Sequence, residues 1–492
     1  MPFVLEKNIL LYVLFLVLLC SCSKNDREDL VDIVVDKDPP EQSTEEPEEE
    51  EPLIQTTPLP NNPQRSGDAA MGYEYLIAGE YMSSGIPYDA FLLGTNENPD
   101  NRLNRSGDNA NIPYDYTAVT APNGVRVVAP NCMACHASTI NNEFIIGLGS
   151  HDADFTVNRA ANLSLINSGI RAMYGGEGSA EWEAYDQFRK GLEAIGPKTM
   201  TQTRGSNPAD KITQVLLAHR DKNSLEWQDT PLVTVPDEVI PTDVPAWWLL
   251  KKKNAMFYHA IGRLDFCKLF IGSSLLTLGN ASVAAEIDAN MVDVLAYIKS
   301  LEAPDYPFSI DNDLAAQGKR LFENTCATCH GTYGENSTYP NLLVSLESVG
   351  TDPELSNHYT TSSAVNDYFM DWFNTGWFGS SENSLSIKAE GGYVAPPLDG
   401  IWATAPYFHN GSVPTIADVL NSKGRPLRWS RSFDNTDYDQ SKVGWNYTAQ
   451  ETKVDKNTYD TNLMGHGNSG HTFGDGFTEN ERTAVLEYLK TL

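Results

Sequence analysis

The distribution of apolar and polar positions divides the chain into stretches of different kind. Ile9 to Leu19 is apolar throughout except for Tyr12. At eleven residues it falls short of the roughly 20 that span a bilayer, so it reads as the apolar core of an export signal. Residues 23–64 lack the apolar periodicity needed to bury a face. Helical periodicity is clear near the C-terminal half. Asp313 to Phe322 spaces Leu314, Lys319-Arg320 and Leu321-Phe322 like an amphipathic helix. Thr478 to Leu492 opens on a Thr–Glu capping pair and continues as Val485-Leu486-Glu487-Tyr488-Leu489-Lys490-Thr491-Leu492, a second amphipathic helix.

This last helix has a counterpart inside the chain. Val294-Leu295-Ala296-Tyr297-Ile298-Lys299-Ser300-Leu301 matches Val485 to Leu492 at five of eight positions. The repeat implies two units, 65–304 and 312–492, joined at Ala303-Pro304-Asp305-Tyr306-Pro307.

Composition changes the picture in two ways. With 66 Asp+Glu against 35 Lys+Arg, the net charge is −31. So acidic a surface repels phosphate backbones and excludes nucleic acid as a partner. The acidic excess is concentrated locally in Glu45-Glu46-Pro47-Glu48-Glu49-Glu50-Glu51, which makes residues 23–64 an extended, self-repelling, disordered linker. Ahead of it, Leu19-Cys20-Ser21-Cys22 resembles a bacterial lipoprotein box. Residues 1–22 then form a signal whose Cys22 is acylated, giving an exported lipoprotein anchored in the periplasm, the outer membrane or the cell surface.

The cysteines carry the chemistry. Four of the seven form Cys132-Met133-Ala134-Cys135-His136 and Cys326-Ala327-Thr328-Cys329-His330. Composition alone would supply about 0.002 such five-residue matches in a chain of this length. Two thiols on one turn reach the two vinyl groups of a porphyrin, and the following imidazole meets the iron. His136 lies 165 residues before Leu301, and His330 lies 162 before Leu492. The expected fold is therefore mainly α, with two class I cytochrome c-like haem domains and long loops behind the N-terminal tether. Each domain holds one covalent haem c, on Cys132 and Cys135 with His136, and on Cys326 and Cys329 with His330. Cys267 reads as a buried small hydrophobe, and Lys251 to Lys253 as a solvated face.

The second axial position on each iron decides what the haems can do. In the second unit, Asn462 to His471 supplies His471, with Met464 and His466 as lesser candidates. The equivalent stretch of the first unit, Leu269 to Ala281, holds no His and no Met, and the offset of 191 places Asn280 opposite His471. The first iron is thus expected to keep an open face for H2O2 or O2, unless His151 fills it; the other reading of His151 is a surface loop residue. After His330, Tyr339-Pro340-Asn341-Leu342 resembles the cytochrome c loop whose proline carbonyl accepts the proximal imidazole N–H.

Thr404-Ala405-Pro406-Tyr407-Phe408-His409-Asn410-Gly411-Ser412-Val413-Pro414-Thr415, after Ala395 to Trp402, resembles the bacterial di-haem cytochrome c peroxidase superfamily. Together with Pro245-Ala246-Trp247-Trp248 to Tyr258, it is most similar to the rubber-oxygenase branch. The resemblance implies O2 binding at the N-terminal haem, Phe257 as a distal aromatic, Trp247 as a pocket neighbour and a bis-His C-terminal haem. It places His409 near the second haem, against a propionate or the crevice wall, and admits interdomain calcium near Asp311 or Asp313. The chain is shorter than the polyisoprene-cleaving enzymes, which weighs against a polymer substrate. A redox partner protein or an organic substrate completes the expected reaction. A pure electron-transfer cytochrome and a non-catalytic haem lipoprotein are the alternatives.

Overall fold

The computed structural model describes residues 53–95, 100–380 and 382–492. The signal, Cys22 and the acidic tract to Pro52 lie outside the described residues. Helix outweighs strand, 38% to 13%. The strands form short two- and three-stranded antiparallel ladders. No helix among the described residues is long and apolar enough to cross a membrane.

Four helices set the frame: α1 (Ala69–Ala78), α2 (Ala281–Ser300), α3 (Asn312–Thr325) and α4 (Glu479–Leu489). Each starts at a side chain that satisfies first-turn N–H groups. Asp68, Asn280 and Asp311 cap the first three. Thr478 and Glu481 form the expected reciprocal capping box on α4. Helix α1 packs across α2, and α3 across α4.

Both crossings are closed by a glycine. A Cβ on Gly72 would stand 1.9 Å from the Asp293 carbonyl oxygen, and one on Gly318 would stand 1.9 Å from that of Ala484. Asp293 and Ala484 are separated by the repeat offset of 191. The repeated octapeptide is therefore the helix segment that meets the glycine of its partner. Its apolar positions, Val294, Leu295, Ile298, Val485, Leu486 and Leu489, are buried.

The two helix pairs do not close separate cores. Leu355, Tyr359, Phe369 and Trp372, C-terminal to α3, join the core that contains Leu295 and Ile298 of α2. Ile140, Leu148 and Trp248, N-terminal to it, join the core of Phe322 and Val485. Leu53–Leu492 accordingly forms one compact unit. The junction is fastened too, since Trp402 Nε1 donates to the Pro304 carbonyl at 2.8 Å.

The tether ends earlier than its composition suggests. Thr56–Pro58 pairs antiparallel with Leu342–Val344, Leu59 is buried, and Asn254 Nδ2 donates to the Leu59 carbonyl at 2.8 Å. Residues 53–64 belong to the fold because an open strand edge supplies their backbone hydrogen bonds, which apolar periodicity does not report.

Gly318→Ala should destabilise the protein by about 1–3 kcal/mol, the usual cost of overpacking, visible as a lower urea midpoint. A substitution at Gly334, where an added Cβ meets nothing within 4 Å but φ is +106°, should cost only backbone strain and serves as the comparison.

Candidate haem sites

The second attachment site is built on one turn. His330 N–H donates to the Cys326 carbonyl at 3.0 Å, which places both thiols and the imidazole on consecutive faces of Ala327–His330. Gly331 then leaves the helix at φ +81°, with the space for a Cβ filled by the Thr338 carbonyl oxygen at 2.0 Å. Cys132, Cys135, Cys326 and Cys329 form no disulfide, which leaves each thiol for attachment.

The carbonyl that orients His330 is not that of Pro340. His330 Nδ1 lies 2.8 Å from the Pro396 oxygen, so the imidazole donates through Nδ1 and presents Nε2. Tyr339 serves this arrangement from the loop expected to do it, donating its hydroxyl to the neighbouring Ala395 carbonyl at 2.6 Å. Asn341 is occupied elsewhere, bonded to Lys252 and Asn254.

His471 faces His330, with ring centres 6.2 Å apart. Two metal–imidazole bonds of about 2.0 Å, each extended by about 1.1 Å to a ring centre, span roughly 6 Å. The loop that carries His471 is held tightly. Its N–H donates to Val349 at 2.6 Å, and Arg425 gathers the carbonyls of Asn468, Gly470 and His471. Burial, reinforced by His330 and Arg425, lowers the His471 pKa to about 3. Burial also lowers His330 against the opposing pull of Pro396. Both rings are thus neutral, the form that binds a metal. Met464 is 48% exposed, and His466 Nδ1 is bonded to the Met464 carbonyl at 2.9 Å.

The first site repeats the turn with different surroundings. His136 N–H donates to the Cys132 carbonyl at 3.1 Å. Ser273 Oγ lies 3.6 Å from Cys132 Sγ, and Asn207 Nδ2 donates to Cys135 Sγ at 3.7 Å. His136 Nδ1 is buried without a partner, and burial takes its pKa down to about 4. Trp247 stacks on the His136 ring at 4.7 Å. Asn280, the counterpart of His471, is committed to capping α2 through Ser282 and Val283.

A second structural repeat links the two sites. Met256 bridges Gly262, and Tyr407 bridges Val413, in matching tight loops. Phe257 and Phe408, 151 positions apart, both adopt left-handed backbone, at φ +69° and +71°. Such a conformation is strained for a bulky residue and clusters at functional sites. Phe408 lies 5.9 Å from the His471 ring. Phe257 holds the equivalent place in the first unit and is 37% exposed.

His409 is buried and stacks on Tyr393 at 4.0 Å, with Nε2 unpartnered. Sequence reading missed its neighbour His259, stacked on Tyr359 at 4.9 Å with both ring nitrogens buried and unpartnered. The aligned tight loops set it opposite Asn410, one position past His409, so spacing gave no signal for it. His151 is not a surface residue: it is 5% exposed, packed against Trp445 and bonded to Arg431. Lys253 departs from the expected solvated face, since burial lowers its pKa to about 8, whereas Lys251 and Lys252 pair with Glu302 and Asp399. Cys267 is fully buried. Asp311 is used as a cap, and no group of three His, Cys, Asp or Glu side chains fit to hold a metal ion occurs among the described residues.

Residues 392–430 match the family described as "RoxA-like, cytochrome c-like", and residues 315–375 match cytochrome c. The chain carries a stretch similar to RoxA-like c-type cytochromes. The matched stretches contain Cys326 to His330, Pro396, Phe408 and His409, which supports a covalent haem c cytochrome with oxidoreductase function. Two proteins of Sinorhizobium fredii (strain NBRC 101917 / NGR234) are similar to it. Uncharacterized protein y4iM is 25% identical over 64% of this chain and 76% of its own length. Uncharacterized protein y4iJ is 30% identical over 37% of this chain and 39% of its own length.

After denaturation and acid extraction, the intact mass should retain two porphyrins, and Cys132→Ser with Cys135→Ser should remove one. Stability should also depend on pH in a defined direction. Burial lowers His259 and His409 to about 3, below the ordinary value near 6.5. The unfolded chain therefore takes up protons first as pH falls, and stability is lost progressively from about 6.5 toward 3. His259→Asn should reduce the slope of urea midpoint against pH between 6.5 and 4.

Proposed function

We propose that this cytochrome is a di-haem oxidoreductase. In this reading His136 would hold a haem accessible to H2O2 or O2, and His330 with His471 would hold one suited to storing and passing electrons. The supporting observation is asymmetry between two matched frames. One tight loop places Phe408 beside an imidazole that faces the proximal ligand, at 5.9 Å. The other carries Phe257 with Asn280 spent on capping α2.

Haem supplies reversible one-electron chemistry at iron and, where one axial face is free, a place for a small oxidant. The chain's own residues define the rest. The Pro396 carbonyl raises the basicity of His330, a support His136 lacks, so the two rings differ in donor strength. Trp247 fixes the plane of the His136 ring. Phe257, 37% exposed at its tight loop, would offer an apolar side chain to the open side of a haem held there. His151 is a poor sixth ligand in this arrangement, because Arg431 Nη2 lies 3.2 Å from its Nδ1. A guanidinium only donates, so Nδ1 accepts and Nε2 carries the proton. Export as a lipoprotein through Cys22 and an organic or protein redox partner complete the reading.

Optical spectra should show one high-spin and one low-spin haem, with cyanide perturbing only the high-spin one. His471→Ala should make the second haem cyanide-sensitive, and hydrogen peroxide should be consumed with a reduced donor present. Two low-spin haems indifferent to cyanide would favour simple electron transfer, and an unchanged spectrum in His471→Ala would discard that ligand.

A further inference from the structure

Arg431 is a buried cation with little to hold it. Only 9% exposed, it hydrogen-bonds through Nη2 to His151 alone, at the carbonyl and at Nδ1, while Nη1 is buried without a partner. Its guanidinium packs on Trp445 at 4.3 Å and on Phe433 at 4.1 Å, and Arg204 stacks on the same Phe433 ring at 4.2 Å. Aromatic faces attract cations but do not satisfy their N–H groups.

His151 adds a second donor. With Nδ1 accepting from Arg431, its ring proton sits on Nε2, which is also buried and unpartnered. Arg431, His151 and Arg204 line one small cavity that is partly open to solvent. Asp243 is the carboxyl on its wall. It accepts from the Tyr258 hydroxyl at 2.7 Å, and burial raises it to about 7, so it is mostly uncharged below neutrality. Arg431 Nη1 and His151 Nε2 are thus buried donors without an acceptor, and half-exposed Arg204, whose Nε donates to the Asp152 carbonyl at 3.0 Å, sets a second cation beside them.

We propose that this cavity binds a carboxylate, held by Arg431 Nη1 and His151 Nε2 with Arg204 beside them. A planar, singly charged carboxylate suits the guanidinium fork, and a doubly charged anion would meet Asp243. Two sources present this chemistry: a propionate of the haem on Cys132 and Cys135, or a free small carboxylic acid. The cavity adjoins that attachment turn. Asn207, two residues from Gly205 of the wall, donates to Cys135 Sγ at 3.7 Å, and Ser150 N–H, next to His151, donates to the Cys135 carbonyl at 2.8 Å. Only the propionate source rests on the di-haem reading.

The test uses the full-length, haem-loaded protein, with sodium acetate as probe and sodium chloride at matched ionic strength as control. A free-ligand site raises Tm with the logarithm of acetate concentration but not with chloride, and Arg431→Gln abolishes the response. A propionate site shows no acetate response. Instead, Arg431→Gln moves one haem's midpoint potential to more negative values, and Arg431→Lys restores part of the shift. If Arg431→Gln does not fold, Arg204→Gln, at a half-exposed position, gives the same readouts at smaller amplitude. The proposal is overturned if acetate leaves Tm unchanged and neither glutamine variant alters a haem potential. A chain lacking porphyrin at Cys132 would remove the propionate source and leave the acetate arm to decide.

Discussion

Everything in this fold depends on two places where helix backbones touch. At Gly72 and Gly318 there is no room for a side chain, so α1 meets α2, and α3 meets α4, at close range. Close approach maximises dispersion along each crossing and fixes its position along the helix axis. The haem-binding turn follows directly from α3, whose last residue precedes Cys326. Any slip at the α3–α4 crossing would move the attachment turn relative to the loop that carries His471.

The two frames are alike in construction and unlike in chemistry. Both carry the same thiol–imidazole turn and the same strained aromatic loop, yet only His330 has a carbonyl on its far nitrogen and an imidazole opposite. The two helix pairs are similar scaffolds, and one or two side chains on each distinguish their surroundings. Desolvation works the same way in both. Burial lowers His136, His330 and His471 alike, so each ring is held neutral without a charged partner, which keeps a lone pair available.

Interleaving of the two cores has an energetic reason. Each helix pair leaves apolar faces that segments from the other half of the chain cover. Helices 354–375 fill the N-terminal frame, and Ile140, Leu148 and Trp248 fill the C-terminal one. This shared packing also brings distant polar groups together in the interior, where water cannot satisfy them. The Arg431–His151 contact across 280 residues is one result.

Local periodicity and spacing settled much of this protein in advance. The attachment turns need only five consecutive residues, the α4 capping box needs four, and the repeated octapeptide marked the two helix segments, because all are short-range patterns of helical geometry; the glycines they meet emerged only in the fold. His471 stood out in the sequence for its place ahead of the final helix, and the fold brings its ring centre to 6.2 Å from that of His330. Tertiary structure decided whatever needed a partner far along the chain. The His330 N–H finds Pro396, 66 residues on, rather than the nearer Pro340. Residues 53–64 join a strand edge formed near residue 343. His151 is buried by Arg431 and Trp445 rather than exposed. Hydrogen-bond partners and burial are set by which surfaces meet in space, and no spacing along the chain encodes that meeting.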